Sequence, residues 1–151
     1  MTALLPAVQE PRTEVAPGSP YDVDIDRLRF WVGAALTATI AALTALVGLT
    51  LLNGVLGLAL GQGTIDPAAY ALAAVAAALA AATLFYAMLH VAPRPGVYYG
   101  WLAVISTLLA VTLPFAGSAA LASEVGLAGL NLAVGLVIAT LVPIAAVQAR
   151  R

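Results

Sequence analysis

The chain has 151 residues, of which 63% are hydrophobic and 9% charged, and its formal net charge is −1. A soluble domain carries roughly 25% charged residues, so this composition points to a membrane protein. Near-neutral charge argues against a nucleic-acid partner, which needs a basic surface. The absence of cysteine excludes disulfides, thiolate metal sites and cysteine nucleophiles.

Residues 1–26 read as a disordered cytoplasmic tail. Pro6, Pro11, Pro17 and Pro20 interrupt any helix, while Glu10, Arg12 and Glu14 break up the apolar residues. The remainder, 27–151, holds four apolar segments near 28–52, 68–92, 97–117 and 125–149. Each reaches the roughly 20 helical residues that cross a hydrocarbon core of about 30 Å. The expected fold is therefore all-α and integral to the membrane, with four transmembrane helices in one bundle.

Helix one starts at Asp26, an N-cap residue, with Phe30 and Trp31 at interface depth. Asn53-Gly54 is a C-terminal signal and ends it. Val55–Gly63 is too short and glycine-rich to span, and is expected at the interface as a short helix or loop. Asp66-Pro67 starts helix two, with Asp as N-cap and Pro at the first helical position. Eleven of the fifteen residues from 68 to 82 are alanine. Leu72, Val75, Leu79 and Tyr86 share one stripe, which leaves Ala73, Ala77 and Ala81 as a small-residue strip on another. Helices in lipid associate through small residues that let backbones approach, so this strip is the expected packing face and helix two the expected central helix.

Pro93-Arg94-Pro95-Gly96 forms a tight turn. Helix three follows with Tyr98, Tyr99 and Trp101 as belt residues and Pro114 near its far end. Ser123-Glu124 opens helix four, where a carboxylate in the first turn suits the helix dipole. Gly129/Ala133 and Gly135/Ala139 are small-xxx-small pairs, a further packing signal. Pro143 is expected to kink this helix and free the carbonyl of Ala139.

Charge orients the bundle. Arg27 and Arg29 precede helix one, Arg94 separates helices two and three, and Arg150 and Arg151 follow helix four. The other two connections carry only Asp66 and Glu124. Positive charge is retained on the cytoplasmic side, so the chain is expected as a multi-pass protein of the cytoplasmic membrane, both termini inside.

Chemistry is sparse. His90 is the only histidine, and haem, metal or proton transfer are its possible roles. A metal site needs several ligands, and no second histidine or cysteine joins it. His90 also lies about one turn from the end of helix two, which suits an interfacial ring. Asp66 and Glu124 already serve as helix-start residues. Asn131 is the deepest strongly polar side chain, and such amides bond a neighbouring helix more often than a substrate. Thr37, Thr44, Thr83, Ser106, Thr107, Thr112 and Thr140 are expected to bond back to their own helices. The Asp22, Asp24, Asp26 spacing opens like a calcium loop, but Arg27 and Gly33 occupy the positions that require glycine and glutamate. Apart from Arg29 at the very start of the first, no span carries an Asp, Glu, Lys or Arg to handle an ion. The sequence thus assigns no catalytic, cofactor-binding or metal-binding residue, and leaves His90 and Asn131 as the functional candidates.

The run His90-Val-Ala-Pro-Arg-Pro, with Trp101-Leu-Ala-Val, Leu113-Pro-Phe115 and Leu130-Asn-Leu-Ala-Val-Gly135-Leu-Val-Ile, resembles a family of small four-helix membrane proteins of actinobacteria. That family is catalogued as a domain of unknown function. The resemblance covers roughly Phe30 to Ala149 and implies a histidine near position 131, where this chain has asparagine. It supplies no activity to carry over.

The expected function is a non-enzymatic structural or regulatory protein, embedded in the lipid bilayer and packed against itself or a larger membrane complex. An oligomeric small-solute transporter or channel, its path lined by Asn131 and the two proline kinks, is the alternative. Topology is directly testable. A reporter fused after Arg151 is expected to be active only in the cytoplasm and one inserted at Gln62 only outside. The same side for both would refute the arrangement.

Overall fold

The computed structural model describes residues 26–60, 66–116 and 121–150. The proposed disordered tail lies outside them, apart from Asp26. The described chain is all-helical: α1 (Arg27–Leu60), α2 (Pro67–Val91), α3 (Pro95–Thr112), a 3-10 turn (Leu113–Ala116) and α4 (Leu121–Gln148). Four helices are long and apolar enough to cross a membrane.

The helix starts follow local chemistry. Asp26 Oδ1 accepts from the backbone N–H groups of Leu28 and Arg29 at 3.1 and 3.3 Å, which caps α1. Asp66 accepts from the Ala68 N–H at 2.9 Å, and Pro67 fills the position whose missing donor costs nothing. Pro95 opens α3 in the same way.

One boundary differs from expectation. α1 does not stop at Asn53-Gly54 but continues to Leu60, so the start of the proposed interfacial segment belongs to this helix. A helix-ending glycine adopts the left-handed conformation, and no described glycine does so. An interior glycine costs only about 1 kcal/mol. That cost is offset because Leu52 packs onto Gly126 of α4, carrying the α1–α4 contact out to this level.

That contact is the seam of the bundle. A Cβ on Gly33 would lie 2.6 Å from the Ala145 Cβ, and one on Gly48 would lie 2.4 Å from Leu130 Cδ1. One on Gly126 would lie 2.5 Å from Leu52 Cδ1. As α1 advances from 33 to 48 to 52, its partner retreats from 145 to 130 to 126, by the same number of residues each time. The pair is antiparallel in one unbroken register. The Asp26 N–H donates to the Ala149 carbonyl at 2.9 Å and ties off its arginine-bearing end.

α2 packs along the other side of α1, and α3 along the other side of α4, while α2 and α3 barely meet. The central helices are therefore α1 and α4, not α2. The packing strip of α2 is also shifted by one residue. Ala74, Ala78 and Ala82 are buried, continuing into Phe85 and Leu89, whereas Ala73 and Ala77 are exposed and Ala81 is half-buried. An alanine helix is nearly alike on all faces, so the large residues at one end choose its rotation. Phe85 and Leu89 join Phe30, Tyr99 and Val142 in the core, and the alanines above them follow. Phe30, expected at interface depth, is fully buried in this cluster, and Tyr86 packs tilted against both it and Trp31, with centroids 5.3 and 6.0 Å away.

Ala78→Leu, at a site with no exposure, should therefore cost about 1–3 kcal/mol through overpacking. Ala77→Leu should leave thermal stability in detergent nearly unchanged. Equal losses in the two variants would mean that the α1–α2 interface has been misassigned.

Candidate functional site

Because α2 and α3 diverge, a cleft of about 650 Å³ opens between them, with α4 as its floor. Alanines of α2 form one wall, including the uncovered Ala73, Ala77 and Ala81. Ser106, Thr107 and Ala110 lie on the α3 wall, and Asn131, Gly135 and Ala139 are on the floor. The volume falls in the range of about 300–1,000 Å³ typical of small-molecule sites, which pair apolar walls with a few placed polar groups.

Two tyrosines bridge the helices at its ends. At the end remote from the arginines, the Tyr70 hydroxyl donates to Asn131 Oδ1 in a short contact, and Asn131 Nδ2 donates to the Ala110 carbonyl at 2.6 Å. One amide thus joins α2, α3 and α4. Its acceptor has a sequence cause: Pro114, four residues on, has no N–H to give Ala110, so that carbonyl lacks its helical partner. The same proline turns α3 into the 3-10 turn Leu113–Ala116. At the other end, Tyr99 packs edge-on against Phe85 with centroids 4.7 Å apart, and its hydroxyl donates to the Ile138 carbonyl at 3.4 Å.

Between the bridges lie two hydroxyls of a different kind. Thr37, Thr39, Thr44, Thr50, Thr83, Thr112 and Thr140 all donate to carbonyls three or four residues back in their own helices, as hydroxyls in apolar helices do. Ser106 and Thr107, expected to do the same, have no hydrogen-bond partner among the described residues. Thr107 instead wedges onto Gly135, with both Oγ1 and Cγ2 at 2.6 Å from where a Cβ would stand.

The other sequence candidates scatter. Gly135 and Ala139 face the cleft, and Gly135 permits the close α3–α4 approach. Ala133 is half-buried; Gly129 is exposed with nothing near its would-be Cβ, so the Gly129/Ala133 pair does not make the tight contact expected of it. His90 stands exposed in the last turn of α2, away from the cleft, and its Nδ1 donates to the Tyr86 carbonyl at 2.8 Å. Glu124 is buried in the first turn of α4 at 8% exposure. Pro143 lies within an unbroken α4. No metal-type cluster of acidic, histidine or cysteine side chains occurs among the described residues.

Asn131 was legible in the sequence; its partners were not. Tyr70 is 61 residues away, and Ala110 has no polar side chain to draw notice. The proline rule that singles out the Ala139 carbonyl would have found Ala110 through Pro114.

The network is testable by coupling. Asn131→Leu strands two partly buried polar groups and is expected to lower stability by about 1 kcal/mol. Pro114→Ala restores an N–H for the Ala110 carbonyl, so the Asn131→Leu penalty should shrink in that background. Strict additivity in a thermal-stability cycle would break the proposed link.

No curated protein and no solved structure matches the chain. A protein family described as a family of unknown function, DUF6069, matches residues 26–148, which take in all four helices and the cleft. The chain belongs to that family.

Proposed function

We propose that this is a non-enzymatic, structural or regulatory protein of the cytoplasmic membrane, with both termini inside, that packs against itself or a larger membrane complex through its α2–α3 side. The observation that carries this reading is that the bundle is unfinished there. α1 and α4 satisfy each other along their whole shared length, whereas the Ala73, Ala77, Ala81 strip of α2 is uncovered and Tyr99 is the one buried residue of α3. Small residues exposed along a helix are what close helix association in lipid uses.

The polar groups support binding and not bond-making. The cleft lining contains no Asp, Glu, Lys, Arg or His, so no residue there has a proton to exchange near neutral pH. The transporter alternative is less well supported, because Tyr70 and Tyr99 hydrogen bonds tie the helices together toward the two ends of the cleft within a single chain.

The absence of native cysteine makes the test clean. Leu84→Cys places a thiol at the cleft rim, and Leu36→Cys places one on the exposed far face of α1. Thiol cross-linking in intact membranes should trap one defined species, self or partner, from Leu84→Cys and none from Leu36→Cys. Indifference to position would argue against an α2–α3 assembly face.

A further inference from the structure

We propose that the α2–α3 cleft is a binding site for one neutral, membrane-dissolved lipophile bearing a carbonyl or hydroxyl oxygen, which enters sideways between the two helices. The proposal rests on the reading of the α2–α3 side as the working face, and it names what fills that face.

Size comes first. From Tyr99 to Ala110 the cleft spans eleven residues of α3, about 16 Å at about 1.5 Å per residue. The cleft volume of about 650 Å³ lies within the range of about 300–1,000 Å³ of small-molecule sites. A single chain-like or flat molecule of that length fits it.

Polarity comes second. Ser106 and Thr107 sit seven and eight residues from Tyr99, in the middle of an otherwise apolar cleft, and neither hydroxyl has a partner among the described residues. Each of the other described helical threonines has taken the local carbonyl that these two decline. Ser106 is exposed and Thr107 half-buried, so both hydroxyls can be reached, and an oxygen on a bound molecule would satisfy them where hydrocarbon cannot. Asn131 and Tyr70 offer further hydrogen-bonding capacity at one end, since an amide and a phenol each have more sites than these contacts use.

Charge comes third. The lining has no ionisable acid or base to pair with a phosphate, carboxylate or ammonium group, so the ligand's polar part is uncharged. The Tyr70–Asn131–Ala110 bridge also closes the cleft where a bulky headgroup would have to leave.

The test uses the purified full chain in phosphatidylcholine vesicles, with diazirine-bearing hexadecanol as photoprobe and diazirine-bearing phosphatidylcholine as comparison. The alcohol should label α2 and α3 saturably and be displaced by plain hexadecanol. Ala77→Leu and Ala80→Leu, each filling the cleft from the α2 wall, should abolish this labelling. Thr107→Val keeps the shape, removes the hydroxyl, and should weaken labelling about fivefold, the loss of one hydrogen bond. Non-saturable labelling overturns the proposal. So does equal labelling by the phospholipid probe with no response to Thr107→Val, which would mean that ordinary bilayer tails fill the space. Cross-linking from Leu84→Cys reports separately on assembly, so a ligand without a partner, or a partner without a ligand, tells the two readings apart.

Discussion

The glycine-mediated contact between α1 and α4 is the constraint from which the rest of the architecture follows. Gly33, Gly48 and Gly126 each leave a space that a side chain or Cβ of the opposite helix occupies, so the two axes approach closely over most of their shared length. Hydrophobic burial contributes little between helices in lipid, and close van der Waals contact has to do that work. A methyl group added at Gly33 would meet another Cβ with no flexible end to give way. With α1 and α4 locked, α2 and α3 can only dock on opposite flanks. Their separation, and the cleft it creates, is a consequence of where the tightest seam lies.

Pro114 shows how backbone chemistry is converted into tertiary structure. Pro114 denies Ala110 a helical donor and simultaneously tightens α3 into a 3-10 turn. Asn131, on a different helix, supplies the missing donor and passes the link on to Tyr70. A defect in one helix thereby fixes the relative height of three. This also explains why an amide ten residues into α4 lies level with the last turn of α3. α4 runs for 28 residues and α3 for 18, so the first turns of α4 extend past its neighbour.

The chemical poverty of the cleft is itself a functional constraint. Its polar atoms belong to hydroxyls, a phenol and an amide, groups that bind and orient neutral molecules but hold no charge. His90 and Arg94 do not line it.

The sequence by itself determined the class of protein and most element boundaries. Apolar composition, the Asp66-Pro67 start and the Arg94 turn are local properties, and each survives unchanged in the structure. The tertiary structure decided what depended on competition between near-equal choices. Ala73-Ala77-Ala81 and Ala74-Ala78-Ala82 are equivalent as sequence patterns; Phe85 and Leu89, drawn into the core, rotate α2 so that the second strip packs and the first faces the cleft. Asn53-Gly54 reads as a stop, yet α1 passes through it because Leu52 finds Gly126 on a helix more than seventy residues away. Ser106 and Thr107 look like any other helical hydroxyls until Gly135 draws Thr107 away from its own backbone. Local signals fix what a segment is, but which of its faces is buried depends on the neighbour that fits closest, and that neighbour is not encoded in the segment itself.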